Sequence, residues 1–466
     1  MSRKNLTRRD ALKGIGAGMA SAFVAACAPQ TVEVIKEVVK EVEVEKKVEV
    51  EKIVEVTAVP VVPSGYQGKL VNMSANSLDV NQELVRRIEA NWPGVTIEWK
   101  NLTSAKYAEL FAAAELADDQ MDIMQINGQD LRRYATGGKL LDASTFGVDL
   151  SDFREVGLKT YTIGGTLWAL PVGGVSGFPF LYNKLTLKKL GVDKEPETYD
   201  DLKAMAPELK KLGISAMVHP GKDIYLWPIW QFWAYAQTTG NKANEFTVDT
   251  LTGKRKWTDP ESVAALEMLN TWARDGMFNE GVNSTGGDAM WQIFTSGKAL
   301  FCYNHSSRVG RFRTEQKDLP EFDMSLIPPL RMVADANVLR QLPGGTGFAL
   351  GIYSKIDPSR LEIAKKVVDF MSSDESTAEV NKQAADAVST KVNVSPSDDE
   401  LALKFAKECA PNQFTYLDWL WPPEITRSFQ EQQQAIVAGT TKPDAAAKNI
   451  QGVFDQLVKD GYKFQA

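Results

Sequence analysis

The chain has 466 residues, a formal net charge of −7, 44% hydrophobic and 24% charged residues, three Cys and two His. An acidic balance of this kind excludes nucleic acid as a partner, because a phosphate backbone calls for a basic surface. Three Cys are too few for a disulfide framework. Neither His219 nor His305 has a Cys, His or carboxylate at metal-ligand spacing, so no metal and no other cofactor is expected.

Residues 1–13 carry Arg3, Lys4, Arg8, Arg9 and Lys13 against Asp10. A small-residue apolar run, 14–26, follows; it is too short to span a bilayer and reads as a cleaved export signal. With its +4 removed, the remainder carries −11. The stretch from Thr7 to Lys13 resembles the twin-arginine export motif on Arg8 and Arg9, with Ala11 where a bulky Phe is usual, so the general secretory route stays open. Val24-Ala25-Ala26-Cys27 resembles a lipoprotein cleavage box, which makes Cys27 the expected acylation site. Residues 31–57 are almost wholly Val, Ile, Glu and Lys in period-two alternation. This argues for an extended, charged tether, with a short coiled coil or an edge strand of the domain as alternatives. Pro60, Pro63, Ser64 and Gly65 punctuate the junction with the globular part.

About 400 residues remain, enough for two lobes with separate cores. The spacing predicts a strand over 69–73, a helix after Gln82 with Leu84, Val85 and Ile88 on one face, and an alternating strand over 95–99. A helix over 107–116 and a buried strand over 122–126 come next. This order implies a parallel sheet, with ligands beyond the carboxyl ends of its strands. Cys302 and Cys409 are expected as two buried, inert thiols, with a disulfide as the alternative.

The central stretch reads Gly164-Gly165-Thr166-Leu167-Trp168-Ala169-Leu170-Pro171, then Tyr182-Asn183-Lys184, Leu190-Gly191 and Thr198-Tyr199-Asp200-Asp201-Leu202. Thr198 is placed to cap a helix ended by Gly213. Further on come Gly287-Asp288-Ala289-Met290-Trp291, Gly297-Lys298-Ala299-Leu300 and Gly344-Gly345-Thr346-Gly347-Phe348. This ordered set, over about residues 66–460, resembles the family of extracellular solute-binding proteins of ABC importers that includes maltose-binding protein. The resemblance implies an α/β, two-lobed periplasmic-binding-protein-like (type II) fold, its lobes joined by a multi-strand hinge. On that pattern residues 1–26 are signal and 27–65 tether. The first lobe takes 66–174 and 345–388, and the second 175–344 and 389–466.

The resemblance further implies a sugar held in the interlobe cleft, a monomeric protein, and delivery to ABC permease subunits with a separate ATPase. The location implied is extracytoplasmic, with the chain anchored to the membrane by lipid. No P-loop follows Gly344-Gly345-Thr346-Gly347, so this chain hydrolyses no ATP by that route. Sugars need planar polar partners and aromatic faces. Candidates on the first-lobe rim are Asn76, Ser77, Asn127 and Gln129, with Ser176 at the crossing. Second-lobe candidates are Trp227 and Trp230, either of which equally suits the core, then Asn304, His305 and Arg308, and one of Trp419 and Trp421. Trp291 is read as core and Asp288 as a helix cap. Rival readings are a polyol phosphate held by Arg308, Arg311 and Arg313, a polyamine, a peptide, or a lipid-anchored glycoside hydrolase with paired carboxylates.

Overall fold

The computed structural model describes residues 31–40, 51–60, 65–75, 81–320, 322–384, 388–394 and 398–464. Arg8, Arg9, Cys27, Asn76 and Ser77 lie outside them. Among the described residues no helix is long and apolar enough to cross a membrane.

Strands Thr31–Lys40 and Glu51–Pro60 form a unit of their own. They pair antiparallel from Thr31 opposite Pro60 to Lys40 opposite Glu51. Both strands carry the period-two alternation of Val and Ile with charged residues. Pairing satisfies backbone N–H and C=O groups that a single strand leaves to water.

Among the described residues the body holds two large sheets and a two-stranded one, Thr162–Ile163 with Thr166–Leu167. The first lobe is built on a seven-stranded sheet, in the order Val388–Ser389, Leu170–Gly177, Leu342–Ile352, Ile123–Asn127, Gly68–Ser74, Val95–Asn101, with Gln413–Phe414 attached to Leu342–Ile352. Gly68–Ser74 runs parallel to both Val95–Asn101 and Ile123–Asn127, as the spacing requires. Leu70, Val71, Met73, Ile123, Met124 and Ile126 are buried; these strands are covered on both faces and read as apolar runs.

The second lobe holds a four-stranded sheet, in the order Ser215–Val218, Ala299–Tyr303, Phe180–Asn183, Met324–Ile327. Beside it lies helix Leu226–Thr238, buried from Leu226 to Gln237. A helix that is apolar on every side has no solvent face, so its aromatic rings become core. Trp230 meets Trp233 at 4.9 Å and Trp272 at 5.8 Å between ring centroids. Cys302 and Cys409 are free and buried in this lobe; burial pushes the Cys302 thiol up to about 12.

The chain passes between the lobes three times. Strand Leu170–Gly177 runs into Phe180–Asn183, and Leu342–Ile352 returns after Met324–Ile327. The last passage follows Val388–Ser389. Ser389 and Thr390 stay on the large sheet, since Thr390 Oγ1 donates to the Gly173 carbonyl (2.8 Å) and Arg154 Nε to the Ser389 carbonyl (2.9 Å). Second-lobe packing resumes with Leu401 and Phe405 of helix Glu400–Glu408, several residues beyond 389. Where the crossings touch, only glycine fits: a Cβ on Gly344 would lie 2.1 Å from Gln413 Nε2 and 2.5 Å from the Ser176 carbonyl oxygen.

Candidate functional site

Strand Ile123–Asn127 ends directly at helix Gly128–Thr136. Asn127 caps that helix, its Oδ1 accepting from the Asp130 N–H at 2.9 Å. From the other lobe comes the segment after Gln413–Phe414. Gln413 Nε2 donates to the Ser176 carbonyl (2.9 Å), which fixes the segment to the hinge. It then turns through Leu417–Trp419 and brings the Trp419 ring onto Gly128. A Cβ on Gly128 would sit 2.3 Å from two of the ring carbons, so the indole lies flush on the helix start. Tyr416 supports it from the second lobe, ring centroids 4.8 Å apart.

Beside this contact opens a cavity of about 550 Å³. First-lobe residues Gly128, Leu131, Arg132, Glu155, Lys159, Thr160, Thr162 and Ile163 line one side; Asn244, Thr415, Trp419 and Leu420 line the other. Its volume suits a small-molecule ligand (about 300–1,000 Å³). Glu155 and Lys159 form an exposed ion pair at 2.6 Å. Burial lowers the Arg132 pKa, against the opposing influence of Tyr462. Just behind Trp419, burial pushes the Asp418 carboxyl up to about 7, and its Oδ1 has no hydrogen-bond partner among the described residues. No three His, Cys, Asp or Glu among the described residues are grouped to hold a metal ion.

Of the candidates, Trp419 lines this cavity. Asn127 adjoins it, with its side chain engaged as a cap. Of Gln129, in the same helix's first turn, only the backbone is described. Ser176, Asn304, His305 and Arg308 are brought together, but as a hinge cluster away from the cavity lining. Ser176 Oγ and His305 Nε2 are hydrogen-bonded at 2.9 Å, across the crossing strand. Asn304 Oδ1 accepts from the His305 N–H (2.8 Å) and from Arg308 Nε (3.3 Å). Burial, then the Arg308 charge, bring the His305 pKa down to about 4.

The other three Trp candidates are core. Trp227 donates Nε1–H to the Gly221 carbonyl (3.2 Å) and packs on His219 at 4.3 Å. Trp230 is fully buried among Trp233, Trp272 and Phe278. Trp421 stacks on Phe429 at 4.4 Å and meets Phe232 and Trp257 edge-on. All three are buried in the second-lobe core, and the transfer free energy of an indole favours that place. Arg132, Thr160, Thr162, Asn244 and Thr415 were not anticipated. They sit in ordinary helix and loop positions with no local motif; the sole hint was the Gly164-Gly165 turn beside Thr162.

Residues 75–378 match the family described as bacterial extracellular solute-binding protein. The chain belongs to that family. As a member it is an extracytoplasmic, ABC-type solute-binding protein, and the family's role is binding. An ABC transporter extracellular-binding protein of Pyrococcus horikoshii is 24% identical over 259 residues, 55% of this chain and 58% of that protein. A chitin oligosaccharide binding protein superposes with a TM-score of 0.73 at 19% identity, over 83% of this chain and 98% of the other. The GacH receptor of Streptomyces glaucescens, solved unliganded and with acarbose, superposes with a TM-score of 0.69 at 20% identity, over 85% and 99%. Solute-binding proteins of this kind are two-lobed, in agreement with the two large sheets and the passages between them seen here.

Proposed function

We propose that the chain captures a sugar, mono- or oligosaccharide, in the cavity between its lobes and hands it to an ABC permease driven by a separate ATPase. The observation that carries this reading is the Trp419 ring at a cavity whose lining also includes three threonines, the Asn244 amide and the Arg132 guanidinium beside the apolar Leu131, Ile163 and Leu420. An indole face takes the C–H face of a pyranose, while hydroxyl, amide and guanidinium groups pair with its rim of hydroxyls. A neighbour described as a chitin oligosaccharide binding protein and others solved with raffinose or acarbose lend support. Closure around the ligand provides the signal to the permease, since a ligand touching both lobes stabilises the closed form. Arg8, Arg9 and Cys27 fit export followed by lipid anchoring of a monomer at the outer face of the membrane.

Rival ligands fit less well. Glu155 is the only carboxylate among the described lining residues and is paired with Lys159, whereas glycoside hydrolysis needs two carboxyl groups and a polyamine needs several. Arg311 is engaged by Glu315 and Asp288, and Arg313 by Asp399, so the arginines do not gather around a phosphate. Thermal unfolding against a panel of sugars, polyol phosphates, amines and peptides tests the reading. A bound sugar at a hundredfold excess over its Kd adds about 2.7 kcal/mol of stability and raises the midpoint. A shift with a phosphate or an amine, and none with any sugar, sinks the sugar assignment; turnover of the sugar makes the chain an enzyme.

A further inference from the structure

Helix Gly128–Thr136 meets the second lobe at two points one turn apart. Gly128 lies under Trp419, and Arg132 sets its guanidinium over the Phe464 ring, 5.4 Å from the centroid. Positions 128 and 132 are i and i+4, so both look out from one side of the helix, the side that lines the cavity. Phe464 belongs to the short segment after helix Pro443–Lys459. That segment turns at Gly461 (φ 97) and is tied back by the Tyr462 N–H to the Leu457 carbonyl (2.9 Å) and by the Tyr462 ring on Phe454 (6.2 Å). Tyr462 and Phe464 are both half-buried against the second-lobe core. One side chain, Arg132, is therefore shared between the cavity wall of the first lobe and the terminal segment of the second.

We propose that residues 461–464 are a strap that latches the closed cleft through the Arg132 guanidinium on the Phe464 ring. The proposal rests on the reading of the cavity as the solute cleft. Hinge opening has to draw helix Gly128–Thr136 away from the second lobe, which separates cation from ring. The contact is thus a property of the closed form and favours it, independently of any ligand. It also holds Arg132 in place at the cavity wall before a solute arrives, and it must break before a solute leaves, so its effect falls on the dissociation rate.

Hydrogen exchange on the full chain without sugar tests the strap, with Phe464→Leu removing the ring but keeping apolar bulk, and Phe464→Trp offering a better ring. Phe464→Leu is expected to speed amide exchange at the start of helix Gly128–Thr136 about two- to fivefold, the range of an exposed cation–π contact, and Phe464→Trp to slow it. Faster exchange confined to helix Pro443–Lys459, with Gly128–Thr136 unchanged, overturns the latch and leaves Phe464 a packing residue. Whichever of raffinose, maltotriose or chitotriose raises the wild-type midpoint is expected to leave Phe464→Leu about two- to fivefold faster. If none of them does, exchange still decides the strap, while the sugar assignment is decided by the wider ligand panel; equal release rates with a bound sugar overturn the strap alone.

Discussion

At the residue scale, Trp419 and Trp421 stand two positions apart and do different work. Trp419 is half-buried at the cavity, and Trp421 is stacked in the core. Trp419→Ala is expected to lower sugar affinity at least tenfold, for a lost large apolar contact of about 1.5–3 kcal/mol, with little change in the unfolding midpoint of the free protein. Trp230→Ala or Trp421→Ala removes about 3–5 kcal/mol of folding stability from a total of roughly 5–15. Calorimetric titration beside denaturant unfolding separates the two classes; a large stability loss in Trp419→Ala with unchanged affinity reverses their roles. Asp418 and His305 set opposite pH trends. Burial raises Asp418 to about 7, so the fold favours its neutral form. That contribution is full below the ordinary Asp pKa and is lost as pH rises through 7. Asp418→Asn is accordingly expected to raise the midpoint more at pH 8 than at pH 4. His305, lowered to about 4, favours the neutral ring. Stability from it is full above the ordinary His pKa and is lost as pH falls through 4, so His305→Gln flattens the acid limb of the midpoint–pH curve.

At the element scale, helix boundaries were legible because caps are local chemistry. Thr198 accepts from the Asp201 N–H (3.1 Å) and Asp201 accepts from the Thr198 N–H (2.9 Å), a reciprocal box spelled out in four consecutive residues. Thr198→Ala is expected to cost about 1 kcal/mol, read as a lower denaturant midpoint at unchanged slope. Asp357 before Pro358 and Pro260 at the first turn of its helix are local signals of the same kind. The role of helix Leu226–Thr238 was not legible. Its aromatics suited a cleft as well as a core, and periodicity does not say which side faces solvent when every side is apolar. The stretch over 31–60 shows the complementary limit: alternation specifies a strand, while its partner is a matter of pairing.

At the scale of the whole molecule, the site is assembled from segments of both lobes. Gly128 takes an ordinary helical position, so Ala there suits the helix itself and even adds propensity of about 1 kcal/mol. Its Cβ would nevertheless strike the Trp419 ring brought from the other lobe. Gly128→Ala is therefore expected to leave the unfolding midpoint unchanged or raised, yet to weaken sugar binding about tenfold by holding the lobes apart. Small-angle scattering checks this: the sugar-induced contraction of the wild type should be reduced. Full contraction and affinity in Gly128→Ala would place Trp419 off that helix in the bound form. The hinge is stitched by the Ser176–His305 bond and by the Ser306 N–H to the Gly177 carbonyl (2.8 Å), residues with nothing in their local sequence to bring them together.

The sequence by itself determined the class of this protein. Strand–helix–strand order, helix caps and the ordered family segments are all short-range patterns, and each is written within a few dozen residues. Trp419 was within reach too, as one of two tryptophans. Only the tertiary structure decided which one reaches the cavity, and that Arg132, Asn244, Thr160, Thr162 and Thr415 share it. The reason is geometric: the cavity wall is assembled from elements nearly 300 residues apart in the chain, from Gly128 to Leu420. Whether a side chain on those elements faces cleft or core depends on how two lobes pack, which no local pattern encodes.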